Sequence, residues 1–472
     1  MAELKVRSLS GDSIALNEEQ LSQLQGMIHG QVLCPGDLEY DSAREIWNAM
    51  IDRKPGLIVV CSGTADVMNA VSFARQNNLL VSVRGAGHNI AGKSLSDGAM
   101  LIDLSALRSV RVDPEAKTVK VGPGATLGDL DHECQTFGLA CPVGINSTTG
   151  VAGLTLGGGF GWLSRSYGMT VDNLLSAEMV TADGARLVCN EQQNPDLFWA
   201  VRGGGGNFGI VTEFEFKLHS VGPQVMAGPT VFPFAQAKSV LTEYRALCEK
   251  SPDQLTLWAV IRDAPPLPFL PEEVHGTRVV IIVGVYNGDL ESGEKALAPV
   301  HQLGQEVGTG IGAYPFAGFQ QAFDPLLTPG ARNYWKSHNF TGLPDNLIDM
   351  LVDFGGRLPS AQSEIFVAQM GGVINRVDPT ATAYPHRDTE FIMNVHTRWD
   401  SADQDKTCID WARDFYDTTR PLATGGVYVN FISEGEERVD GAYGENYDRL
   451  AAIKAQMDPD NFFRENQNIR PQ

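Results

Sequence analysis

The chain reads as an α+β protein of more than one domain, and three observations predict that class. Its 472 residues, at about 100–200 residues per domain, leave room for two or three packed units. Its 50 glycines crowd into the first half, at Gly85/Gly87/Gly92, Gly144/Gly150/Gly153, Gly157/Gly158/Gly159/Gly161 and Gly203/Gly204/Gly205/Gly206/Gly209. Glycine is kept where φ is positive or a backbone must approach closely, so a large ligand is expected against this region. From about residue 222 the pattern changes to longer strands and helices. The expected segments are 1–220, 221–424, which could roof a ligand, and 425–472.

Each element follows from local pattern. Leu57-Ile-Val-Val-Cys61 is a short apolar run suited to a buried strand, and Thr64 then caps a helix carrying Val67, Ala70, Val71 and Ala74 on one face. Leu79–Val83 is a second strand, leading into the turn-rich Arg84-Gly-Ala-Gly-His-Asn89. Strands are expected at Met100–Leu104 and Thr118–Val121, and a helix from Thr126 through Phe137. Ala177–Thr181 and Arg186–Val188 flank Asp183-Gly184, a hairpin signal, and Phe208–Leu218 is a further long strand. Within 221–424, helices are expected near Phe234–Lys250, Glu291–Gln305 and Asp403–Thr419, and strands near Leu255–Arg262, Thr277–Tyr286, Glu364–Gly372 and Phe391–His396. The Pro-rich stretch Ala264–Pro271 is a loop, and the tail holds a strand Val427–Ile432 and a helix near Tyr447–Met457.

Composition excludes several classes. Lys and Arg number 36 against 57 Asp and Glu, a formal net charge of −21 with a pI near 4.8. The mean field of such a surface repels polyanions, so nucleic acid is not an expected partner. No run approaches the roughly 18 apolar residues of a membrane span, so no membrane partner is expected either. Seven cysteines without a C-x-x-C pair fit neither a disulfide framework nor a zinc cage. Together with an N-terminus lacking the apolar core of a secretory signal, they suggest a cytoplasmic protein.

The glycine clusters admit four readings. A dinucleotide fingerprint G-x-G-x-x-G after a first strand is missing, since Gly85-Ala-Gly87 is followed by Gly92 at the wrong spacing. Gly87-His-Asn-Ile-Ala-Gly92-Lys93-Ser94 matches a phosphate-binding P-loop literally, yet Leu95-Ser-Asp97-Gly98 is another turn where that motif runs into a helix. A tight structural turn is the bland reading for a lone histidine at 88. The fourth is a flavin site, in which glycine-lined backbone N–H groups satisfy a diphosphate.

The fourth reading rests on motifs in order: Arg84-Gly-Ala-Gly-His88-Asn; Cys141-Pro-Val-Gly-Ile-Asn146 with Thr149-Gly-Val151-Ala-Gly153; Gly157-Gly-Gly-Phe-Gly161; Tyr167-Gly-Met-Thr-Val-Asp172-Asn173; Phe198–Val211; Tyr428-Val-Asn430; and Asn446-Tyr447-Asp-Arg449 with Asp458-Pro-Asp-Asn461-Phe. This series resembles the berberine bridge enzyme-like FAD-linked oxidases of the vanillyl-alcohol oxidase superfamily. The resemblance implies a PCMH-type FAD-binding fold with an inserted antiparallel-sheet substrate domain. It implies hydride transfer from a C–H of a small organic substrate (an alcohol, sugar, amine or aromatic metabolite) to flavin N5, with O2 as the acceptor and hydrogen peroxide as product. A dehydrogenase using another acceptor, or a flavin-binding protein without turnover, are the rivals.

Residue by residue, the resemblance implies FAD contacts at Arg84, Gly85, Ala86, Gly87, His88, Asn89, Gly144, Asn146, Ser147, Thr148, Gly150, Gly153, Gly158, Gly209, Val211, Tyr428 and Asn430. It makes His88 the covalent attachment point. Many relatives attach the flavin a second time through a cysteine, and Asn146 stands at that position, so single attachment is expected, with Cys141 a small core residue. Leu154 departs from the histidine of many relatives, and Phe431 from a second tyrosine. Val151 is expected beside the flavin face that O2 approaches, and Gln369 is expected to face the flavin from its strand. Tyr428 is the candidate general base, with Tyr334 and Tyr384 behind it, the alternative being that the Tyr428 hydroxyl only hydrogen-bonds the cofactor edge. His386 and Arg387 are expected as structural partners, and Arg332–Lys336 as a domain-interface cluster.

Overall fold

A computed structural model describes residues 4–433 and 439–472. The first domain is built on two main sheets, beside two short two-stranded ones. In the smaller one, Leu57–Val60, Met100–Asp103 and Val81–Arg84 run parallel, with Gln31–Leu33 antiparallel at the edge. Strands covered on both faces need continuous apolar runs, and Leu57, Ile58 and Val59 are fully buried. The helix Thr64–Gln76 covers this sheet with the expected Val67, Ala70, Val71 and Ala74. Its N-cap is Gly63 rather than Thr64, and the anchoring group is Asp66, which accepts from the backbone N–H of His29, Gly30 and Ser62.

The second sheet is antiparallel, in the order Arg186–Asn190, Leu174–Val180, Ile210–Lys217, Thr118–Val121, Val110–Asp113. The Asp183-Gly184 hairpin forms as its turn chemistry requires, with Gly184 at φ +82°. Thr126 caps the helix Leu127–Gln135 in a reciprocal box with Asp129.

Residues 224–399 supply an eight-stranded antiparallel sheet, whose long strands are Gln224–Pro233, Leu255–Asp263, Arg278–Tyr286, Arg332–Phe340, Glu364–Gln369 and Phe391–Trp399. One face is covered by the helices Ala237–Cys248, Asp345–Gly355 and Asp405–Thr419 through Tyr244, Leu351 and Phe415. The other face turns toward the first domain, where Trp258, Ile281 and Ile392 pack with Phe160, Trp162 and Val171. The expected helix Glu291–Gln305 stops at Leu297 and tightens into a 3-10 turn over Ala298–Gln302, because Pro299 has no N–H to continue the ladder.

The expected strand Val427–Ile432 is instead a single 3-10 turn, Val429–Phe431. Its composition is strand-like, but no sheet edge receives it. Its backbone closes on itself, with the Phe431 N–H donating to the Tyr428 carbonyl at 2.9 Å.

The C-terminal segment is pinned by a buried ion pair. The Lys454 ammonium donates to Asp458 at 2.6 Å, to the Asn207 carbonyl at 2.6 Å and to the Phe463 carbonyl at 3.0 Å, with both charged side chains fully buried. Lys454→Met leaves Asp458 uncompensated and should destabilise the protein by about 3–5 kcal/mol, read from urea unfolding. Replacing both partners with apolar residues should cost less than the single change.

Candidate active site

A cavity of about 540 Å³ lies where the glycine-rich turns of the first domain meet the inserted sheet. It is lined by Gly85, Ala86, Gly87, His88 and Asn89 from the turn after strand Val81–Arg84, and by Gly144, Asn146, Gly150 and Gly153 from the loop before and within helix Val151–Leu156. Gly205, Gly206, Gly209, Val211, Tyr428 and Asn430 complete that side. A Cβ added at Gly153 or Gly206 would meet no atom within 4 Å, so both backbones face the open space a ligand would occupy.

His88 sits at the centre of this wall. Its ring stacks on Trp47 with centroids 5.1 Å apart and planes 22° apart. Its Nε2 lies 2.8 Å from the Thr148 hydroxyl, which in turn donates to Asn146 Oδ1 at 2.7 Å. Because the hydroxyl proton is spent on Asn146, Thr148 accepts from His88, which places the imidazole proton on Nε2 and leaves Nδ1 with its lone pair. Burial lowers the His88 pKa to about 4, so the ring is neutral near pH 7.

Trp47 donates through Nε1 to the Leu327 carbonyl at 2.8 Å. The next residue, Asn48, is buried and bonds both halves of the molecule. Its Nδ2 donates to the carbonyls of Ile90 and Asn333, each at 3.0 Å, and its Oδ1 accepts from the Asn333 N–H at 2.9 Å.

Several expected contacts lie elsewhere. Arg84 does not line the cavity, since its guanidinium is buried against Asp103 at 2.6 Å and the Glu45 carbonyl at 3.1 Å. Ser147 turns away and bonds the Asp324 carboxylate of the insertion through its N–H, at 2.9 Å, and its hydroxyl. Thr148 acts through His88 rather than lining the chamber, and Gly158 sits behind Tyr428, where a Cβ would meet the ring at 3.3 Å.

Val151 is fully buried in the core beneath, while Thr149 and Ala152 on either side reach the cavity. Gln369 faces the helical layer, its Nε2 donating to the Cys248 carbonyl and Ser251 Oγ and its Oε1 accepting from Leu257. Alternation along Glu364–Gln369 turns Glu364 and Phe366 to the cavity and Ile365, Val367 and Gln369 away from it. Tyr334 likewise points at the helices, where its hydroxyl meets Arg413. Cys141 is buried in the core and does not line the cavity. Arg387 is structural, as expected, held to Asp172 at 2.7 and 2.8 Å.

Tyr428 does line the cavity. Its hydroxyl accepts from the Gly159 N–H at 2.9 Å and from Asn430 Nδ2 at 3.0 Å. Burial raises its pKa to about 12 in spite of those two donors, so it keeps its proton. Both donors hold the hydroxyl oxygen in one place on the cavity wall.

The opposite wall was not foreseen. Trp258, Arg262, Glu364, Phe366, Asn394 and His396 line it from three adjacent strands. Burial opposes ionisation of Glu364, but Arg262, 2.6 Å away, together with His396 and Arg398 holds its pKa at about 2. Trp258 and Phe366 stack with centroids 5.6 Å apart.

Residues 55–190 match the family model described as an FAD binding domain, and residues 427–470 match one described as berberine and berberine like. An FAD-linked oxidoreductase of Dictyostelium discoideum is 33% identical over 451 residues, covering 94% of this chain and 95% of that protein. The chain belongs to the berberine bridge enzyme-like FAD-linked oxidoreductases. Another relative of this berberine bridge enzyme-like chain is the (R)-6-hydroxynicotine oxidase of Paenarthrobacter nicotinovorans, 31% identical over 466 residues, with 94% and 97% of the two chains covered. Among solved structures, the Physcomitrella patens BBE-like 1 protein superposes with a TM-score of 0.86 at 25% identity, covering 96% of this chain and 99% of its own. The chain is thus an FAD-linked oxidoreductase, and its cavity fits the cofactor: glycine backbones facing open space, a neutral imidazole at one wall, and no cysteine among the described lining residues.

Gly153→Val places a side chain in that space. The apo protein should fold at least as stably, since glycine inside a helix costs about 0.5–1 kcal/mol relative to alanine, while the flavin content of the purified protein should fall at least tenfold. Circular dichroism and the 450 nm to 280 nm absorbance ratio check both.

Proposed function

We propose that this enzyme is an oxidase carrying FAD on His88 alone, taking a hydride from a C–H of a small organic molecule and returning the electrons to O2 as hydrogen peroxide. The observation that carries the reading is the Asn146–Thr148–His88 hydrogen-bond chain, which holds a neutral ring in one tautomer with Nδ1 free as the attachment atom. Bound FAD supplies the hydride acceptor, and the protein supplies position and electrostatics. Asn146 accepts hydrogen bonds where a second, thiol attachment would need a sulfur, and Cys141 is too deep in the core to substitute. Tyr428 orients rather than ionises, its oxygen held by Gly159 and Asn430.

Denatured holoenzyme should stay yellow, with one flavin adduct on the peptide containing His88. Anaerobically reduced enzyme mixed with O2 should return one peroxide per flavin. Release of all flavin on denaturation refutes the attachment, and reduced enzyme that ignores O2 but reacts with a quinone makes it a dehydrogenase.

Thr148→Val removes the acceptor for Nε2–H, so covalent loading should slow by about tenfold or more, the scale of one lost hydrogen bond to a buried group, with Thr148→Ser restoring it. Because the His88 pKa is depressed to about 4, loading of the wild-type protein should stay constant from pH 8 to about 5 and fall only as pH approaches 4. An ordinary histidine would lose its neutral form around pH 6.5.

Tyr428→Phe should slow anaerobic flavin reduction by less than about tenfold, below the 10²–10⁴ of a lost general base. The rate should show no tyrosine titration between pH 6 and 9. Stopped-flow reduction across that range reads both.

A further inference from the structure

We propose that the cavity selects an uncharged, flat aromatic or heteroaromatic molecule whose edge carries a hydrogen-bond donor beside an acceptor, as in a lactam or carboxamide, and that Asn394 reads that edge. The inference rests on the functional reading above and deepens it. Asn394 lies on strand Phe391–Trp399, is fully buried, and lines the cavity. Neither its Oδ1 nor its Nδ2 has a hydrogen-bond partner. A buried carboxamide offering one acceptor and two donors is complementary to a second amide edge, which closes a pair of N–H···O bonds with it. Such a group is costly when left unmade and discriminates strongly for a ligand that completes it.

The neighbouring charges are spent on each other. Glu364 binds Arg262 at 2.6 Å and His396 at 3.2 Å, and the second ring nitrogen of His396 lies 3.2 Å from Asn333 Oδ1. Among the described residues, a cationic substrate would find no unpaired carboxylate on this wall, and a carboxylate substrate would compete with Glu364 for Arg262. The rest of the approach is aromatic. Trp258 stacks on Phe366, Phe431 meets Phe366 edge-on at 6.1 Å, and Trp335 meets Phe431 edge-on at 5.3 Å. Flat rings bury well against such faces, whereas a sugar would leave several hydroxyls against Trp258, Phe366 and Phe431 without partners.

Isothermal titration of the holoenzyme with benzamide, 2-pyridone, benzoate, benzylamine and xylobiose tests the class by heat of binding rather than by turnover. Benzamide and 2-pyridone should bind at least about tenfold tighter than the other three. Asn394→Leu should weaken both amides by about 10- to 100-fold, the range of one to two lost hydrogen bonds. Asn394→Asp keeps the acceptor and adds a charge, so its preference should move from benzamide to benzamidine. Flavin content and circular dichroism of each variant confirm that it is folded. Tighter binding of xylobiose or benzoate by wild type, or unchanged benzamide affinity in Asn394→Leu, overturns the proposal. A protein that binds benzamide through Asn394 but makes no peroxide leaves this proposal standing and overturns the oxidase reading, while a peroxide-forming enzyme that prefers xylobiose does the reverse.

Discussion

The arrangement depends first on the buried pair between Arg84 and Asp103. These residues end two parallel strands in direct register, and the guanidinium meets the carboxylate through two nitrogens, at 2.6 and 3.2 Å. Asp103 also accepts from the N–H and hydroxyl of Ser105, and Arg84 donates to the Glu45 carbonyl. A charge pair so fully enclosed is strongly destabilising to break from one side. It therefore fixes the point from which the turn Gly85–Asn89 departs, and with it the position of His88. What reads in the sequence as an arginine beginning a ligand loop is the anchor from which a glycine-rich loop departs.

The two walls of the cavity differ in how they are built. The cofactor side is backbone: glycines and short polar residues on turns, where small residues permit close approach. The substrate side is side chain, projecting from a sheet whose other face is covered by helices. Two interdomain contacts keep the walls opposed, Ser147 with Asp324 and Gln320 with Asp131 at 3.1 Å. Burial raises the Asp131 pKa to about 7, against the Gln320 hydrogen bond, so this part of the seam is held by a group that can remain uncharged.

That difference explains what could be read from the sequence. The cofactor wall follows from local rules, because turns advertise themselves through glycine: Gly85, Gly87, Gly150, Gly153 and Gly209 all reach the cavity. The substrate wall depends on which way each strand faces. Gln369 is one residue out of phase with the cavity face, and nothing in Glu364–Gln369 reveals the phase, since Phe366 on one side and Ile365 and Val367 on the other are all apolar. Strand Arg332–Phe340 escaped notice because its buried residues include Asn333, Lys336, Ser337, His338 and Asn339, which break any hydrophobic alternation. The side to which Val151 points is illegible for a related reason: a helix beginning under the cavity sends successive residues to different sides. The turn at Val429–Phe431 looked like a strand because β-branched and aromatic residues suit both, and only the absence of a neighbouring edge distinguishes them.

Asn48 gives the molecule a mechanical property that neither wall has alone. A histidine on a turn can shift with that turn, and a sheet joined to its partner domain by loops can rock. The side chain of Asn48 ties the stretch after His88, through Ile90, to the backbone of Asn333 on the substrate sheet, while its neighbour Trp47 braces the imidazole and reaches Leu327. His88 and the sheet are therefore linked, and rocking of the insertion would carry His88 along with it. The spacing between the two walls is then set by a short path through Asn48 rather than by the long way round through two hydrophobic cores, which makes it insensitive to breathing of the domains.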